Sequence, residues 1–401
     1  MKEKNQTGTN ILSVTCSPVF LPLEGKPERQ PRKAIFPRQS GFFSAFESQA
    51  LIYDCFWQQN KKSVLLLCPP PMNLEENWLK AKFCATGSGK ILTAKFFKAR
   101  SSMLVELVGA PDNCNEIEME FAGSTYIIPV QKNLVEEFSD KKIIFSMNKN
   151  NSLTWIVEWA RFHHLMHNAD GVILYDNGSS DYNIGDISQA LAQIEGLKKI
   201  LVISWPHKFG AFDSGVLTNP YWAHFLQNSS FSHILRRFGA KAHSLLNLDI
   251  DELAAPVANS DIFEKAKNCP SGFHILEGRW VENVRSGKNL SSQPSHTDFN
   301  HVLIDPRHAL NAKKWVLDPN RSWLNDLAMQ PSWHKIKQMP KALVKLSTKG
   351  SYWHFKGINT NWKQQRTKET KPSILCQPSK EVKIMFKDYL ERSKNLHRGK
   401  E

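Results

Sequence analysis

Between residues 142 and 254 the chain repeats one unit: a short apolar run, a polar cluster, then a helical stretch. No other feature limits the fold as much. The apolar runs are KIIFSM (142–147), GVILYD (171–176), KILVIS (199–204) and the approach from Ala242 to Leu248. They are apolar at consecutive positions, as strands covered on both faces must be. Between them, SLTWIVEWARFHHLMH (152–167) places Ile156, Trp159, His163 and Met166 on one helical face. Asp186 opens a short helix, and Asn219-Pro220 with Gly239 mark the start and stop of a third. This β-α-β-α-β-α-β series predicts a mainly parallel sheet flanked by helices. Beyond residue 260 the pattern weakens, and FHILEGRWVEN (273–283) is the best further strand.

Upstream the pattern differs. SVLLLC (63–68), KILTAKFF (90–97), MLVELVG (103–109), IEMEFA (117–122) and STYIIPV (124–130) are short, closely spaced and strand-like. They predict a small, sandwich-like β-rich domain over 41–135. Gly87-Ser88-Gly89-Lys90 has some features of a phosphate loop, but it lacks that motif's first glycine, and Ile91 stands where Ser or Thr is required. A turn between two strands is the better reading. Residues 1–40, rich in proline and base, are expected to be a loosely ordered lead-in. The tail, 371–401, carries a basic amphipathic helix that suits an anionic membrane surface or a solvated terminus.

Polar clusters close three of the strand runs: Asn148 to Asn151, Tyr175 to Asp181, and Asp249-Ile250-Asp251-Glu252. At strand spacing Asp249 and Asp251 face the same side, where two ionised carboxylates repel unless a cation lies between them. Carboxylates at the end of a buried strand stand where open α/β sheets bind ligands. The Asp176 loop, DNGSSD, is a good turn sequence; its aspartate is also placed to accept hydrogen bonds from a base or ribose. His163 and His167 have the spacing of a zinc-binding helix without its glutamate, so packing and helix-end contacts are expected of them.

A formal charge of +14 calls for an anionic partner: nucleic acid, a phosphorylated small molecule, an acidic polysaccharide or a membrane face. The seven cysteines are odd in number and form no CxxC pair, and the first residues are too polar for a secretory signal. A cytoplasmic setting is the expectation, with peripheral contact at the inner membrane face as an extension of it.

Taken together, NKNNSLTWIVEWARFHH (148–164), ILYDNGSSD and LLNLDIDE resemble the glycosyltransferase family 92 pattern and its bacterial relatives, across roughly 142–363. That pattern has an EW...H helix, a YDN-S-D loop and a later DxD-type strand end. The resemblance implies a GT-A fold, Rossmann-like, over 140–370. It also implies a nucleotide-sugar donor, most often UDP-linked, and hexosyl transfer with inversion to a glycan or lipid-linked glycan, as in surface or capsular polysaccharide synthesis. Asp176, with Asn148 beside it, matches the nucleotide contact; Asp249 and Asp251 match the metal-bridging carboxylates; His354 matches a histidine brought back to the metal. A mixed Asp and His shell favours Mn²⁺ over Mg²⁺. Lys208, Arg236, Lys356 and Lys363 are candidate phosphate contacts. No motif marks the general base; Glu282, beside Trp280, is preferred over Glu277 and Asp298. A nucleic-acid-binding protein and a non-catalytic carbohydrate-binding module are the alternatives. No known RNA or DNA motif supports the first, and the retained carboxylates argue against the second.

Overall fold

The computed structural model describes residues 3–4, 8–23, 27–34, 36–60, 62–213, 220–285, 291–305, 312–336, 338–360 and 374–398. Among them, ten strands form one mixed sheet. Its spatial order is Glu3–Lys4, Asn10–Leu12, Lys199–Ser204, Gly171–Asp176, Lys142–Asn148, Ser244–Asn247, Lys313–Leu317, Phe273–Val281, Thr348–Phe355 and Glu252–Ala254. The five strands from Asn10–Leu12 to Ser244–Asn247 are all parallel. Their consecutive apolar residues point to both faces. Ile144, Val172, Leu174, Ile200 and Val202 meet the helices Leu153–His167 and Ile184–Ala192. Ile143, Phe145, Ile173, Tyr175 and Ile203 meet the helix Phe225–His233 and its π-helical continuation Ile234–Phe238. The sheet is therefore α/β and covered on both sides, as the alternation predicts.

Local chemistry sets the helix ends. Ser152 accepts from the Thr154 N–H, and Asn168, at φ 58°, closes the same helix in the left-handed conformation. Asn183, not Asp186, caps the second helix, with Asp186 completing a capping box three residues on. The third helix begins only at Phe225, past the proline expected to open it, and stops at Gly239. Asn219 lies outside the described residues.

Two four-stranded antiparallel sheets lie upstream: Asp54–Trp57, Ser63–Cys68, Met103–Val108, Thr93–Lys98; and Ser124–Pro129, Glu116–Phe121, Lys82–Ala85, Lys90–Ile91. They share an apolar layer that includes Val64, Leu66, Val105, Ile117 and Met119. KILTAKFF is not one strand. Leu92 is buried at the point where the chain crosses from one sheet to the other. The glycine-lysine stretch is a turn, with Gly89 at φ 66° donating to the Ala85 carbonyl. The outer face of the first sheet, through Phe56, Leu65, Leu67 and Leu104, is buried in the same core as the helix 225–238.

The expected lead-in holds structure. Asn10–Leu12 extends the central sheet beside Lys199–Leu201, and Val19–Phe20 pairs with Ala50–Ile52. Arg29 is buried and donates to the carbonyls of Pro70, Glu47 and Ala50. The tail forms the helix Lys380–Arg398, whose apolar stripe of Val382, Met385, Phe386 and Tyr389 is buried, with Tyr389 against Phe162 and Phe386 against Phe355. No described helix is long and apolar enough to cross a bilayer.

Candidate active site at the sheet edge

From Lys142–Asn148 the chain steps to Gly171–Asp176 and Lys199–Ser204 on one side, then returns to Ser244–Asn247 on the other side of the first strand. The winding reverses there, and a crevice opens where neighbouring connections leave on opposite faces. Phe273–Val281 and Thr348–Phe355 run in the same direction as the parallel set, because each is separated from it by antiparallel pairings. Asn148, Asp176, the acidic turn, Trp280 and His354 therefore arrive at one edge of the sheet.

The acidic cluster is not a strand end in the sense expected. The strand stops at Asn247, and residues 249–252 form a turn closed by the Glu252 N–H on the Asp249 carbonyl at 3.0 Å. The period of two does not apply to a turn, so Asp249 and Asp251 diverge. Asp249 Oδ2 lies 2.7 Å from Lys314 Nζ, while Asp251 Oδ2 lies 2.9 Å from His354 Nε2. Glu252 stands between them. Its Oε2 is 2.9 Å from Lys314 Nζ and accepts the Asp249 N–H at 2.8 Å; its Oε1 is 3.4 Å from His354 Nδ1. One ligand atom each from Asp251, Glu252 and His354 falls within 4.8 Å of the others. Two carboxylate oxygens and an imidazole nitrogen at that spacing fit a divalent cation.

Burial and Lys314 act on Glu252 in opposite directions: burial raises its carboxyl above the usual range, and the ammonium pulls it down. Burial alone would lower Lys314; Asp249 and Glu252 outweigh it and hold the ammonium up.

The helix Leu153–His167 supports this turn from behind. Glu158 holds His296 at 3.0 Å, and His296 Nε2 donates to the Ile250 carbonyl at 2.9 Å. His163 donates through Nδ1 to the Trp159 carbonyl and accepts the Ala254 N–H at 3.2 Å; His167 donates to the Ala254 carbonyl, also at 3.2 Å. The EW...H pattern thus positions the backbone on either side of Asp251 and Glu252. Both helix histidines are fully buried, and burial pushes them down to about 3 and about 4, respectively.

Asn148 and Asp176 are register partners on adjacent strands. Asp176 Oδ1 accepts from Asn148 Nδ2 at 2.7 Å and from Ser179 Oγ at 2.6 Å; its Oδ2 accepts the Ser179 N–H at 2.9 Å. The turn-forming role of this aspartate is thereby realised, and the loop is fastened as one wall of the crevice.

The other candidates are dispersed. Glu282 is buried, with both oxygens held by Lys356 Nζ at 2.7 and 2.9 Å. Lys356 also lies 5.2 Å over Trp280, whose ring is 4.2 Å from that of His354. Glu277 pairs with Lys349 on the surface, and Asp298 accepts the Ser295 N–H in the capping box of a short 3₁₀ turn and pairs with Arg285. Lys208 has an exposed side chain and donates its backbone N–H to Glu47. Arg236 is half-buried and donates to the carbonyls of Leu324, Asp326 and Met329. Lys363 lies outside the described residues.

Sequence reasoning missed Lys314 and did not assign Glu252 to the ion. The available signal was a lysine inside the apolar strand run KKWVL. No family model matches the chain, and no curated protein matches it.

Proposed function

We propose that the protein is a metal-dependent glycosyltransferase that moves a hexosyl group from a nucleotide-sugar, a UDP-sugar in the first instance, to a glycan or lipid-linked glycan. The observation that carries this reading is the cluster of Asp251, Glu252 and His354 on the same edge of the sheet as the Asn148–Asp176 wall, which lies at the switch point. A nucleoside bound along the wall places its diphosphate over the acidic turn. Asp251, Glu252 and one nitrogen of His354 would hold a divalent ion, Mn²⁺ in preference to Mg²⁺ because of the imidazole. When bound, the ion neutralises the leaving diphosphate.

A cavity of about 520 Å³ adjoins the site. Trp280 forms the shared wall, and Arg279, Asp305, Trp353 and Glu381 line the rest. Tryptophan faces with charged groups at their margin suit a sugar ring and its hydroxyls. The larger cavity, about 730 Å³, surrounds Lys142 at the opposite edge of the sheet, where Lys142 is paired with Asp261 and Glu264. Glu282 remains the preferred base for an inverting transfer. The reading requires the donor's diphosphate to draw Lys356 off it, which would release the carboxylate as the donor binds.

Thermal-shift and calorimetric titration with UDP, GDP and CMP, each with and without Mn²⁺, tests the proposal. Metal-dependent binding of one nucleoside diphosphate, and its release from the matching nucleotide-sugar, is expected. Binding of oligosaccharide with no response to any nucleotide would move the protein to the non-catalytic carbohydrate-binding class.

A further inference from the structure

We infer that Lys314 is a resident cation of the acidic turn. It anchors Asp249 and one oxygen of Glu252, so that a single divalent ion is taken by Asp251, Glu252 and His354 while Asp249 is not a ligand. This rests on the metal-dependent reading above.

The strand Lys313–Leu317 lies between Ser244–Asn247 and Phe273–Val281, with Trp315 opposite Asn247. That register brings Lys314 to the start of the acidic turn. Its side chain is 6 % exposed, and a buried ammonium is costly unless carboxylates surround it. Two do, at 2.7 and 2.9 Å.

The turn sets three carboxyl groups, Asp249, Asp251 and Glu252, against the one ammonium of Lys314. Lys314 reaches only Asp249 and one oxygen of Glu252, so Asp251 and the other Glu252 oxygen are left facing His354.

Geometry divides the labour within Glu252. Its Oε2 is fixed by Lys314 and by the Asp249 N–H, and that fixes Oε1 towards His354. Asp249, whose side chain is 38 % exposed, turns to Lys314 and lies outside the three-residue donor group. Lys314 is thus a positioning residue acting through Glu252.

The test uses the full chain and Mn²⁺ alone, with no nucleotide present. Calorimetry should show Mn²⁺ affinity falling well over 100-fold in Asp251→Asn and about 10–100-fold at most in Asp249→Asn, the range for a supporting group. Lys314→Met should melt earlier without metal, and Mn²⁺ should raise its Tm by less than it raises that of the wild type, because Glu252 is no longer held towards the ion. A lysine with only a packing role would lower the Tm and leave the Mn²⁺ increment unchanged, which overturns the inference. Equal affinity losses in the two aspartate variants overturn it as well, as does a wild-type protein that binds no Mn²⁺. If Lys314→Met does not fold, the aspartate pair decides alone. Because no nucleotide is present, these results stand apart from the transfer reaction: success here with no nucleotide-sugar turnover would sink only the proposed function.

Discussion

Among the described residues, two clusters combine aspartate with histidine at ligand-like spacing, and they differ in how their charge is closed. Asp54, His233 and Cys16 meet at the seam between the first upstream sheet and the helix 225–238. Asp251, Glu252 and His354 meet at the edge of the central sheet. At the seam, Asp54 Oδ2 lies 2.6 Å from Arg237 Nη1 and 2.8 Å from His233 Nε2; its Oδ1 accepts the backbone N–H groups of Ser17 and Cys55. Tyr175 Oη is 3.0 Å from the other nitrogen of His233. One carboxylate faces one guanidinium, every oxygen is satisfied, and neither Asp54 nor His233 is exposed.

Burial alone would raise Asp54, but Arg237 and His233 outweigh it and hold the carboxyl down; burial pushes the Cys16 thiol up, away from the reactive thiolate. The edge cluster sets three carboxyl groups against one ammonium, that of Lys314, and its Asp251 reaches solvent. Residue types alone do not separate a structural knot from an ion site. Net charge and access do.

The most damaging way to break the comparison is to open the seam. Asp54→Asn leaves Arg237 buried without its counter-charge and should cost about 3–5 kcal/mol of stability, the range for breaking a buried pair. Denaturant unfolding measures it, and Mn²⁺ should restore none of the loss. A change below about 1 kcal/mol, where exposed pairs fall, would mean that the seam is hydrated and the network incidental.

The edge cluster should show the reverse profile. His354→Ala removes a buried side chain packed on Trp280, so some stability should be lost, but less than at the seam because no buried charge is left without its counter-charge. The Mn²⁺ concentration needed for half-maximal binding should rise about 10–100-fold, and the preference for Mn²⁺ over Mg²⁺ should narrow, because only the former gains from an imidazole ligand. Loss of stability with unaltered metal dependence would return His354 to a packing role against Trp280.

The contrast also marks what was legible in the sequence. Gly171–Asp176 and Lys199–Ser204 coincide with their apolar runs because burial on both faces writes itself as consecutive Val, Ile and Leu. Asn10–Leu12 was hidden, since three residues in a polar stretch become a strand only by pairing with Lys199–Leu201. The acidic turn was visible as composition but misread as geometry, because nothing local signals that the strand stops at Asn247. Lys314 lies 65 residues from Asp249, and no local periodicity brings them together. Asp54, Arg237 and His233 carried no motif. Their association depends on how the upstream sheet packs on the helix 225–238, which is tertiary information.

The smallest effect concerns the pair that supports the edge cluster from behind. His163 and His167 must stay neutral, because His163 accepts the Ala254 N–H through an unprotonated nitrogen and both rings are fully buried. Burial lowers them from an ordinary value near 6.5 to about 3 and about 4. Between those values the unfolded chain binds protons that the folded chain refuses. Their contribution is therefore complete above pH 6.5 and is lost as the pH falls towards 4. On going from pH 6.5 to 5, each should withdraw on the order of 1 kcal/mol. Other buried histidines titrate in the same direction, so the test is a difference. His163→Gln with His167→Gln should unfold with a shallower acid dependence than the wild type, even if its midpoint at pH 7 is lower. Parallel curves would show that the two imidazoles are not held neutral, and the strand Glu252–Ala254 would then need another anchor.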